Sequence, residues 1–186
     1  MKINKSIITM LAIIITASNI VQAQKKDKKE VADILPFENL NDSIKAQLGN
    51  ALTNYYQIMD ALVASDESVA AKSAKAFRRT LEMVDMKRMT TEQRAFYMPL
   101  QKKLDYDAEH IQGANIEHMR EHFTTFSNNM FALVKTFKAN NGTNVFLVHC
   151  PMYDKGANWI SSEAAIKNPY FGNQMLTCGK VTETIK

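Results

Sequence analysis

"IEHMREHFTTFSNNMFALVKTF", residues 116–137, decides the fold. Its apolar residues Ile116, Met119, Phe123, Phe126, Met130, Leu133 and Phe137 alternate steps of three and four without error. At 3.6 residues per turn these positions form one narrow stripe, a heptad-like seam that must be buried against other helices. Asn115 in front of it offers a side-chain oxygen to the unpaired first-turn amides, and Asn141 with Gly142 supplies a stop.

Working towards the N-terminus, three more stripes of the same kind appear. Tyr97, Leu100, Leu104, Ala108 and Ile111 follow "MTTEQ", where Thr90 and Gln93 have the spacing of a reciprocal capping box. Pro99 inside this run lacks an amide and crowds the carbonyl four residues back, so a kink or a later helix start is expected. Ala70, Ala74, Phe77, Leu81 and Val84 make a further stripe after the break "ASDES", with Ser65 and Asp66 as capping residues. Ile44, Leu48, Ala51, Tyr55, Met59 and Leu62 make the first, with Asn41 and Asp42 at its start. Four amphipathic helices joined by short loops predict an all-α chain, an antiparallel four-helix up-and-down bundle over residues 41–142. Residues 143–186 change character. "NVFLVHC" is strand-like, "GKVTETI" is its candidate hairpin partner, and the rest is rich in Pro, Gly and Asn, so a loop-rich tail packed on the bundle is expected.

The N-terminus carries Lys2 and Lys5, then the apolar Ile7–Ala17, then small residues up to Ala23. That order is a secretory signal peptide, and an apolar run of about 11 residues is too short to span a bilayer. Cleavage after Ala23, a leader over residues 24–40 and a periplasmic protein without membrane insertion are expected. Losing residues 1–23 removes two lysines and no acid, which lowers the formal charge from +4 to +2. So small a charge gives no reason to propose nucleic acid as a partner.

Two soft-donor clusters stand out in the tail. "HCPM" spans His149 to Met152, and "MLTCG" holds Met175 and Cys178. Thiolate and thioether sulfurs select soft ions, Cu(I) above all. If residues 149–152 stay extended, Cys150 and Met152 share a side and His149 points away. The alternative is a disulfide between Cys150 and Cys178, worth about 3.5 kcal/mol through loop closure and expected in an oxidising compartment. On the helices, His122 flanks the seam and His110 lies on a flank of the third run. Each read alone is a boundary histidine. His118 and His122 have ligand spacing, but "HMREH" lacks the glutamate of the zinc-protease pattern. Asp105, Asp107 and Glu109 read as solvated helix charges. No C-x-x-C, G-x-S-x-G or glycine-rich phosphate loop is present in the sequence, so a non-enzyme is expected.

"YYQIMDALVASD" (55–66), "AEHI" (108–111), "REHFTTFS" (120–127), "VHCPM" with "GANWIS", and "NPYFGNQMLTCGKV" (168–181) together resemble an uncharacterised family of exported Gram-negative proteins. This domain of unknown function is also found fused to periplasmic adaptor subunits of copper and silver efflux systems. The resemblance runs over about residues 50–183. It implies a role in envelope metal handling and a ligand set of Cys150, Met152, Met175 and Cys178 from the tail, with His110 and His122 from the helices. The expectation is a Cu(I)-binding protein that buffers the ion or passes it to an efflux adaptor. The rival expectation is a helical interaction module of that machinery, held by a Cys150–Cys178 disulfide and without its own metal.

Overall fold

The structure, a computed structural model, describes residues 36–186; the expected signal peptide and most of the expected leader lie outside the described residues. Four helices follow one another: α1 (Asp42–Ala64), α2 (Glu67–Glu82), α3 (Thr91–Gln112) and α4 (Ile116–Phe137). Each packs on the next, and α1 also packs on α4, which closes the bundle. The caps are those expected. Asn41, Asp66 and Asn115 accept first-turn amides, and Thr90 and Gln93 form the full capping box. The seam of α4 is buried from Met119 to Phe137, and stacked rings of Tyr55, Phe123 and Phe126 fill the centre at 5.4 and 5.6 Å. α4 stops earlier than Asn141, because Lys138 already adopts the left-handed conformation (φ 48°).

Pro99 does not delay α3, which begins at Thr91 and runs through it. Pro99 and Ala95 are both solvent-exposed. The carbonyl that loses its partner therefore faces water, where the loss is tolerated. Phe37, in the stretch expected as leader, already packs its ring on Phe137 at 5.2 Å and donates its amide to the Thr136 carbonyl.

The tail is more ordered than a hairpin. Strands β1 (Val145–Cys150), β2 (Ala157–Ser161) and β3 (Lys180–Ile185) form an antiparallel sheet in the order β2-β1-β3. "GKVTETI" does pair with "NVFLVHC", as β3 with β1. The added strand is "ANWIS", in a stretch expected to be loop. Asp154, Lys155 and Gly156 in succession take positive φ and reverse the chain tightly enough for β2 to pair with β1.

β2 lies against α4, and its amide edge meets a bundle tyrosine. The fully buried Tyr55 hydroxyl accepts the Ile160 N–H at 3.1 Å and shares a hydrogen with Ser127 Oγ at 2.7 Å. Arg120 on α4 donates to the carbonyls of Pro169 and Leu62 and to Ser65 Oγ, tying the tail to the end of α1. Gly172 sits at that junction with φ +53°, where an added Cβ would lie 2.8 Å from the Val63 carbonyl oxygen.

Two substitutions probe this docking. Tyr55→Phe leaves the buried Ile160 amide without its partner and should cost about 1–3 kcal/mol in denaturant unfolding. Gly172→Ala combines a left-handed backbone with a backbone clash and should lower stability by at least about 1 kcal/mol.

Candidate functional site

Cys150 ends β1 and Cys178 precedes β3, so the sheet itself brings the two cysteines together. Their Sγ atoms stand 3.3 Å apart and are not bonded. Cys150 is fully buried and Cys178 is half-buried. A disulfide needs about 2.05 Å. A tetrahedral ion with metal–sulfur bonds of about 2.3 Å holds its sulfurs about 3.7 Å apart. The observed spacing lies between the two, within reach of either by small side-chain rotations.

The surroundings of Cys150 favour its thiolate. Burial pushes the thiol up, but the Met152 amide, the Cys178 thiol, the Asn168 side chain and the Tyr153 amide all hydrogen-bond the sulfur, and together they hold it below the ordinary thiol value. Cys178 moves the opposite way, chiefly because it hydrogen-bonds Cys150, with burial and the Cys150 charge adding to the shift. The first ionisation thus belongs to the inner sulfur.

Asn168 organises this pocket. It is fully buried, donates through Nδ2 to the Cys178 carbonyl at 2.7 Å, and accepts the Tyr170 and Phe171 amides through Oδ1. Tyr170 stacks on Tyr153 at 4.6 Å, packs on Phe123 of α4, and donates its hydroxyl to the Asn158 carbonyl.

Met152 is not in extended chain. β1 ends at Cys150, and Met152 belongs to the turn that follows, its side chain 63% exposed. The alternation argument for a shared Cys150–Met152 face therefore does not apply, and the link between them is the Met152 amide on the Cys150 sulfur. Met175 and Cys178 do share a tight turn, closed by the Cys178 amide on the Met175 carbonyl, and Met175 is 37% exposed. His149 points elsewhere, with Nδ1 on Asn158 Oδ1 at 2.8 Å.

His110 and His122 come together with each other but not with the cysteines. Their rings stack at 4.3 Å where the end of α3 meets the start of α4. On α4 the tail is held by Arg120, Phe123 and Asn128, whereas His122 bonds Asp107 on α3. At 100° per residue, Arg120 and His122 point about 160° apart. Among the described residues no three His, Cys, Asp or Glu side chains stand as a ready-made metal-holding group, so neither histidine completes the cysteine pair as placed.

Two participants, Asp107 and Asn168, are missed by the sequence reading, and His118 stands out there only by its spacing from His122. Asp107 is buried, not solvated. It lies three residues after Leu104 and four before Ile111, which is core spacing, and its carboxylate accepts from His122 and Thr125. His118 joins the histidine group at 4.7 Å from His122, although its motif excluded only a protease. Asn168 carried no signal beyond its place in "NPYFG".

Residues 51–142 match the model of a family described as "Protein of unknown function (DUF3347)". Over those residues the helical bundle is similar to that family. The matched segment contains all three clustered histidines and ends before β1, so the cysteine pair lies beyond it. No curated protein and no solved structure matches the chain.

The pairing of the two thiols is open to titration. Cys178→Ala removes one donor to Cys150, and Cys150→Ala removes the main perturber of Cys178. With alanine at the partner position, so that no hydroxyl takes over the hydrogen bond, thiolate absorbance should show Cys150 moving up towards the ordinary value in Cys178→Ala and Cys178 moving down towards it in Cys150→Ala. Identical titrations of both variants and two indistinguishable thiols in the parent would contradict the arrangement.

Proposed function

We propose that this chain is a soft-metal-binding protein of the bacterial envelope, holding Cu(I) at the Cys150–Cys178 pair and buffering it or handing it to an efflux system. The observation that carries the reading is a pair of unbonded sulfurs 3.3 Å apart, one of them buried and favoured as the thiolate. A thiolate is the form that binds metal, and two sulfurs already adjacent need little ordering to share an ion. The donor set fits Cu(I). Cys150 and Cys178 would supply thiolates, and Met152 and Met175, in the turns that carry them, are exposed thioethers suited to capture and release. The bound ion would be a cargo, and no nucleophile and base pair is invoked.

A second reading rests on the same sulfurs. Oxidation of the pair would lock the tail to itself and leave a disulfide-stabilised helical module that contacts efflux machinery without a metal. The two readings separate by experiment. Reduced chain without residues 1–23 should take up one equivalent of Cu(I) against a chromophoric chelator. Cys150→Ser with Cys178→Ser should abolish uptake, and Met152→Ala with Met175→Ala should weaken it about tenfold or more. A pair recovered oxidised from the periplasm that takes up no copper after reduction would sink the metal reading in favour of the disulfide.

A further inference from the structure

The three clustered histidines share a feature that their sequence does not announce. His122 Nδ1 lies 3.1 Å from Oδ1 of the buried Asp107, His110 Nδ1 lies 2.9 Å from the Tyr106 carbonyl oxygen, and His118 Nδ1 lies 3.1 Å from Glu121 Oε2. Carbonyl and carboxylate oxygens only accept, so in each ring Nδ1 must donate. Each neutral imidazole then carries its lone pair on Nε2. Three independent outer partners impose the same tautomer on three neighbouring rings, which is how metal-binding imidazoles are oriented.

The spacing agrees. Ring centroids are 4.3 Å (His110–His122), 4.7 Å (His118–His122) and 6.1 Å (His110–His118) apart. Three imidazoles bound through nitrogen to one tetrahedral ion at about 2.0–2.1 Å would have centroids about 5 Å apart. His118 and His122 lie one turn apart on α4, and His110 comes from the last turn of α3, so the two antiparallel helices present all three. His110 and His122 are nearly parallel (24°), so their rings must tilt for the nitrogens to converge, and the half-exposed His110 has room to do so. A pocket of about 320 Å³ lined by Glu109, His110, Gly113, Ala114 and His118 lies against two of the three rings and gives solvent access to them.

We propose that His110, His118 and His122, oriented by Tyr106, Glu121 and Asp107, form a three-imidazole site for a borderline divalent cation of the Zn(II) class, separate from the sulfur pair. Imidazole nitrogens suit such ions, and a three-ligand site keeps a fourth position through which the ion exchanges. The bundle would then offer a site for a harder ion than the tail does. Asp107 is a positioning residue: it holds the His122 ring and does not itself reach the ion.

The test uses the chain lacking residues 1–23 with Cys150→Ser and Cys178→Ser, so that thiols contribute nothing and failure of the copper proposal leaves this one untouched. Calorimetric titration with Zn(II) should show one equivalent bound. His118→Ala and His122→Ala should each weaken it at least tenfold, and Asp107→Asn by about 10–100-fold, with circular dichroism confirming that each variant folds. Long-range proton–nitrogen NMR of the unsubstituted histidines gives a readout that needs no histidine variant. On adding Zn(II), the Nε2 resonances of all three rings should shift while Nδ1 stays protonated. No uptake, or uptake that perturbs one ring alone or survives loss of all three, would overturn the proposal.

Discussion

The hydroxyl of Tyr55 is the contact on which the arrangement of the molecule depends. It lies in the centre of the bundle, yet it accepts the Ile160 amide from a strand and shares a hydrogen with Ser127 on α4. β2 is an edge strand, and an edge amide buried against a helical core needs a partner. Tyr55 supplies it, and the position of the whole sheet follows. With β2 seated, β1 lies in the middle of the sheet, β3 joins its far side, and the ends of β1 and β3 bring Cys150 next to Cys178.

Asn168 does for the sulfur pair what Tyr55 does for the sheet. A segment with little regular structure carries Cys178, and such a segment holds a thiol in place only if its backbone polar groups are satisfied. One buried amide side chain meets that need by bonding the Cys178 carbonyl and two amides while also contacting the Cys150 sulfur. The cost of burying a thiolate is offset by the same donors, and this is why the inner and less accessible cysteine is the more acidic of the two.

α4 has two working faces. One, through Arg120, Phe123 and Asn128, receives the tail; the other, through His122, meets Asp107 of α3 beside His110 and His118. A single set of tail and helix ligands would require these faces to coincide, which helical geometry prevents. The donors therefore divide by chemistry, sulfur on one side and imidazole on the other.

The bundle was legible in the sequence because burial of a helix imposes a period of 3.6 on its own residues. The seam from Met119 to Phe137, the capping box of Thr90 with Gln93 and the breaks at Ser65 and Gly113 are all local, and local pattern suffices to specify them. The donor residue types were equally plain, since Cys, Met and His announce their chemistry by identity. Which of them meet was not plain. β2 depends on a tight left-handed turn and on a tyrosine 105 residues away, and the Asp107–His122 bond depends on how α3 packs against α4. By itself the sequence determined the four helices and the stock of soft ligands, because these are set by neighbours along the chain. Only the tertiary structure decided that the sulfurs and the imidazoles form separate groups, because their meeting is governed by long-range packing that no local period encodes.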